Sequence, residues 1–65
     1  MAAAVMYLGD GNVYALAPDA HQALADMRTF PVGIPIPDAL TEDALDLVAI
    51  DGVSLWRYQP QTERH

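Results

Sequence analysis

A small α+β domain is what this sequence predicts, in the order β-hairpin, helix, proline-rich strap, short helix, and C-terminal strand or hairpin. Three observations carry that expectation. Two Asp-Gly pairs, Asp10-Gly11 and Asp51-Gly52, each sit between β-prone runs, and Asp-Gly supplies the positive φ angles that hairpin turns demand. Between them, Ala20, Ala23, Leu24 and Met27 recur at the spacing of one helical face. The chain has 65 residues, 52% of them hydrophobic. That leaves room for one core, since a chain of this size buries about 60% of the surface its unfolded form exposes.

The first hairpin pairs Val5-Met-Tyr-Leu8 with Asn12-Val-Tyr-Ala-Leu16 around Gly9-Asp10-Gly11. Pro18 and Asp19 give a first-turn signature, so the helix is expected from Pro18 to Thr29, with His21, Gln22 and Asp26 largely on its outer face. From Thr29 to Pro37 the prolines Pro31, Pro35 and Pro37 each remove a backbone donor and force the preceding residue extended. The result is a strap in which Phe30, Val32, Ile34 and Ile36 alternate with Pro31, Gly33, Pro35 and Pro37. One side of it can lie along a hydrophobic surface in polyproline-like geometry.

Asp38 to Leu45 reads as a second, short helix. Thr41 serves as N-cap, Glu42 and Asp43 sit beside the positive end of the dipole, and Leu40 is placed to staple against Leu45. Leu47-Val-Ala-Ile50 and Val53-Ser-Leu-Trp-Arg-Tyr58 then flank the second Asp-Gly turn. In the last strand Val53, Leu55 and Arg57 alternate with Ser54, Trp56 and Tyr58, so both sides carry bulky groups. Such a strand is covered on both faces or docks one of them on another molecule. The single domain is expected over residues 1–60, with 61–65 as a flexible polar tail.

Nine acidic residues stand against three arginines and no lysine, a net charge of −6. That balance argues against direct nucleic-acid binding, which depends on Lys and Arg displacing the cations condensed on phosphate. No basic, apolar leader precedes Gly9, and no apolar run approaches the roughly 20 residues that cross a bilayer. A soluble chain with no membrane partner is expected. The absence of cysteine excludes thiol catalysis, Cys-based zinc sites and disulfide staples. His21 and His65 form no metal-ligand pattern. Ser54 lacks a nucleophile elbow, and Gly9 and Gly11 lack the third glycine of a dinucleotide loop. No catalytic residue, metal or cofactor is therefore expected.

A core this small, without staples, supplies roughly 3–5 kcal/mol, and such domains commonly gain stability by association. Partners are accordingly expected among the protein subunits of an assembly, a second copy included. Trp, Tyr and Arg dominate interface hot spots, and Trp56, Arg57 and Tyr58 are consecutive. Together with Phe30, Val32, Ile34 and Ile36 of the strap they form the expected protein-binding set.

The succession Met6-Tyr-Leu-Gly-Asp-Gly-Asn-Val-Tyr14, a short helix, Phe30-Pro-Val-Gly-Ile-Pro-Ile-Pro37, then Leu40-Thr-Glu-Asp-Ala-Leu45 and a β segment resembles small modules of tailed-phage and prophage tail or tail-fibre proteins. The resemblance covers about Met6 to Pro60, and the chain departs from the pattern at Ala49-Ile-Asp-Gly52. It implies a non-catalytic virion component held by neighbouring subunits, found in the particle or in the bacterial host cytoplasm during infection. The alternative is a small acidic inhibitor of the anti-CRISPR kind. Such a protein would offer Asp38, Glu42, Asp43 and Asp46 to a basic groove that expects nucleic-acid phosphate.

Overall fold

Both Asp-Gly pairs fall in hairpin loops, and the two hairpins build one antiparallel sheet. The computed structural model describes residues 4–30 and 32–60; the expected tail, 61–65, lies outside them, as does Pro31. The first hairpin joins β1 (Ala4–Tyr7) to β2 (Val13–Leu16) with Tyr7 opposite Val13, so its loop runs from Leu8 to Asn12. Asp10 organises that loop, its carboxylate accepting the Asn12 backbone N–H at 3.1 Å. The second hairpin joins β3 (Leu45–Ile50) to β4 (Val53–Tyr58) across Asp51-Gly52 alone. Asp51 has φ 52° and Gly52 φ 81°, the two positive angles of a type I′ turn, whose twist matches that of the flanking strands.

The strand order is β1-β2-β4-β3. β4 is therefore an inner strand, joined to β2 with Val13 opposite Tyr58 and Ala15 opposite Trp56. Helix α1 (Ala20–Thr29) lies on β2 and β1. It begins two residues later than Pro18 because Asp19, in extended conformation, is the N-cap and accepts the Gln22 N–H at 2.8 Å. Ala23, Leu24 and Met27 are buried with Val13, Ala15, Leu45 and Tyr58 in one cluster. The α+β class and the hairpin-helix-hairpin order stand as the sequence predicts.

Two local expectations are corrected. The helix expected over Asp38 to Leu45 is a single 3-10 turn, Glu42–Ala44, and Thr41 makes no side-chain cap. Leu45 is buried, but as the first residue of β3 opposite Tyr58. The six-pair ladder from Leu45↔Tyr58 to Ile50↔Val53 outweighs what one more helical turn offers. Asp26, expected on the outer face of α1, is buried instead. Gln22, one turn earlier, makes that burial tolerable by donating Nε2–H to Asp26 Oδ1 at 2.9 Å.

Strand alternation gives the sheet a helix face, carrying Val13, Ala15, Leu45 and Tyr58, and an open face carrying Met6, Tyr14, Leu55 and Arg57. Among the described residues no helix is long and apolar enough to cross a membrane.

Candidate functional site

The strap is fastened from the helix. Arg28, in the last turn of α1, donates from Nη2 to the carbonyls of Leu40 at 2.9 Å, Asp38 at 3.2 Å and Pro37 at 3.4 Å. Such charge-assisted bonds hold the far end of the strap to the helix that precedes it. Gly33, at φ 92°, bends the strap between its apolar members. Val32, Ile34 and Ile36 are half-buried against the molecule's own core. Of the strap residues in the expected binding set, Phe30 alone is exposed.

The Trp56-Arg57-Tyr58 run is divided by the pleat. Trp56 and Tyr58 lie on the helix face, half-buried and buried respectively, while Arg57 lies on the open face. There Arg57 Nη2 meets Asp46 Oδ2 at 3.4 Å across the β3–β4 pair. Its Nε is shielded from solvent with no hydrogen-bond partner among the described residues. The three residues do not form one contiguous contact surface.

Asp38, Glu42, Asp43 and Asp46 are exposed around the 3-10 turn and the start of β3. Two of them carry counter-charges within the chain, Asp46 with Arg57 and Glu42 with His21 Nδ1 at 2.8 Å. A shallow groove of about 590 Å³ opens beside them, lined by Pro37, Ala39, Leu40, Ala44, Asp46, Tyr58 and Gln59. It pairs no nucleophile with a base. Among the described residues no cluster of His, Cys, Asp or Glu could hold a metal ion.

The Glu42 carboxylate raises the His21 pKa above its ordinary 6.5, first through the hydrogen bond and then through charge. The folded chain thus holds the His21 proton more tightly than the unfolded chain does. The pair's contribution is complete below about pH 6.5 and fades as pH climbs through the higher folded value. Both side chains are well exposed, so the effect on stability is small. An NMR titration should place the His21 midpoint above 6.5, and Glu42→Gln should bring it back toward that value.

The open face was not legible as a site from any one segment of the sequence. Its members come from all four strands: Met6, Tyr14 and Leu16, then Val48, Ile50, Val53 and Leu55. The ion pair of Asp46 with Arg57 is the only charge that the four strands bring to it. Helix and strap pack on the opposite cluster, yet at the centre of this face Tyr14 and Leu55 are themselves buried, at 3% and 5% exposed, so what it turns outward is its margin. At the first hairpin, the Tyr14 hydroxyl donates to the Asp10 carboxylate. That bond, followed by the Asn12 N–H, holds the Asp10 carboxyl below its ordinary 3.8. Leu16 and Val53 are exposed on this face.

Comparison with protein families, with curated proteins and with solved structures finds no match to this chain. The chemistry of its surface therefore carries the functional reading. The surface presents one apolar sheet face, a charge-paired rim and an exposed acidic turn. Such a surface can bind by burial and backbone geometry.

Proposed function

We propose that this chain is a non-catalytic protein-binding module, seated in a larger assembly through its open sheet face. The assembly suggested by the sequence resemblance is a phage-type particle, with the chain as a tail or tail-fibre component. One observation carries the reading: the helix and strap both pack on one side of the sheet, while the strand residues of the opposite face are apolar but for the Asp46–Arg57 pair and expose Leu16 and Val53. Antiparallel sheets of soluble domains ordinarily turn a polar face to water. The strap residues Val32, Ile34 and Ile36 are occupied by the chain's own core, so docking falls to the open face, with Phe30 as an additional outward group.

Mass spectrometry of particles purified from the source tests this. Wild-type chain should appear at a fixed copy number per particle, and a Leu16→Lys, Val53→Lys variant that retains its circular dichroism should be missing. Absence of the wild-type chain from particles overturns the reading. The inhibitor reading rests on the exposed carboxylates Asp38, Glu42, Asp43 and Asp46. It predicts binding to a basic, nucleic-acid-handling complex that weakens steeply with salt, whereas an apolar contact is nearly indifferent to it.

A further inference from the structure

We propose that β3 is a self-pairing edge, by which two copies of this chain join β3 to β3 antiparallel about a two-fold axis at Val48. The inference goes beyond the docking reading and does not depend on it, because it concerns the edge of the sheet and not the open face.

The direction of the backbone groups follows from the turn. In a hairpin closed by two residues, the flanking pair exchanges both hydrogen bonds, and bonded pairs then alternate. Ile50↔Val53, Val48↔Leu55 and Asp46↔Arg57 are thus the bonded pairs of β3 with β4. Leu45, Leu47 and Ala49 direct their N–H and C=O groups away from β4. The structure bears out that direction at Leu45, whose N–H is bonded to the Glu42 carbonyl. The 3-10 turn therefore occupies the edge at its beginning. Among the described residues, Leu47 and Ala49 remain with donors and acceptors that meet no strand, since β3 is the last in the sheet.

These two residues fix the register. Leu47 of one copy opposite Ala49 of the other, and the reverse, lets each pair exchange its two N–H···O=C bonds, with Val48 opposite Val48 at the axis. The axis falls past the occupied end, so Leu45 need not take part. On the helix face the register sets a large side chain against a small one, twice. Leu47 is 58% exposed, the most exposed large hydrophobic side chain among the described residues, and this contact would cover it.

Charge permits the same arrangement. Asp46 is the only ionisable residue of β3 and is matched by Arg57 of its own chain, so pairing brings no unmatched charge onto the new strand pair. Natural edges are usually protected by lysine, proline, a bulge or a covering element. Among the described residues β3 has none of these from Leu47 to Ile50, and its ladder with β4 is unbroken. The opposite edge, β1, has four residues against six in β3. Joining β3 to β3 would also merge the two open faces into one continuous surface.

The test uses the isolated full chain. Sedimentation equilibrium should show the mass rising from 7.1 kDa toward twice that value with concentration. Amide exchange supplies the signature: Asp46, Val48 and Ile50 protected at every concentration, Leu47 and Ala49 only where the dimer is populated. Ala49→Pro removes an outward donor and should return the mass to monomer; Leu47→Lys, at an exposed position, should do the same should the proline variant misfold. A wild-type chain that stays monomeric at about 1 mM, the range of a very weak complex, overturns the proposal. So does a dimer whose Leu47 and Ala49 amides exchange freely.

Discussion

Met27→Ala is expected to leave the chain largely unfolded at 25 °C. Met27 is 1% exposed and is, with Val13, one of the two largest fully buried side chains. It lies near the end of α1, in the cluster that holds Val13 and Ala15 of β2 together with Leu45 and Tyr58. Truncating a buried methionine to alanine costs about 2–5 kcal/mol, the spread reflecting how far the site can collapse around the void. A domain of this size without disulfides has roughly 3–5 kcal/mol in total. Collapse is hard here because the neighbours Ala15 and Ala23 are already small and fully enclosed. Urea titration followed by far-ultraviolet circular dichroism should show the cooperative transition lost or moved close to zero denaturant. Met27→Leu nearly conserves volume and should cost under about 1.5 kcal/mol. A Met27→Ala chain with the wild-type midpoint would remove this residue from the core.

The elements legible in the sequence are those whose signal is local. Asp51-Gly52 specifies its turn within two residues, and Asp19 with the Ala20, Ala23, Leu24 and Met27 stripe specifies the helix within three turns. The misread segment is the one where two local patterns share residues. Leu40 and Leu45 satisfy a helical staple, yet Leu45, Leu47 and Ala49 equally satisfy a strand, and the choice is made by Tyr58 and the rest of β4, which lie elsewhere in the chain. Asp26 departs from the outer face that the helical period gives it because that period carries no information on the Gln22 amide that satisfies its carboxylate.

The same non-locality governs the site. Trp56, Arg57 and Tyr58 adjoin in sequence and read as one hot spot, but a pleated strand sends Arg57 to the other face. Nothing local reveals that β4 lies inside the sheet, between β2 and β3. The apolar strap residues were legible as surface-covering groups. Whether the surface they cover belongs to the chain or to a neighbour depends on the Arg28 fastening and on how much core the sheet leaves open. The bulk on both sides of the last strand is the one sequence signal for a second apolar face, and it gives that face without its partners on β1 and β2.

Tyr58→Ala should separate the two hairpins and abolish the fold. Tyr58, 7% exposed, stands opposite Val13 on β2 and Leu45 on β3 at once, so one ring spans the seam where the second hairpin meets the first. That seam is short: β2 and β4 pair only from Val13 to Ala15. Backbone bonds over so brief a ladder contribute little net stability, each about 1 kcal/mol, and cannot hold the hairpins together without the packing above them. Removing a buried aromatic side chain costs about 3–5 kcal/mol, comparable with everything a domain of this size has. Trp56, also on the helix face and half-buried, reports the event, and its fluorescence should shift to the red and lose its urea dependence in Tyr58→Ala. Tyr58→Phe keeps the ring and should retain the wild-type emission with a modest loss of midpoint, separating the hydroxyl's share from the ring's. Unchanged Trp56 emission and midpoint in Tyr58→Ala would mean that α1 and the strap, and not this residue, join the halves of the sheet.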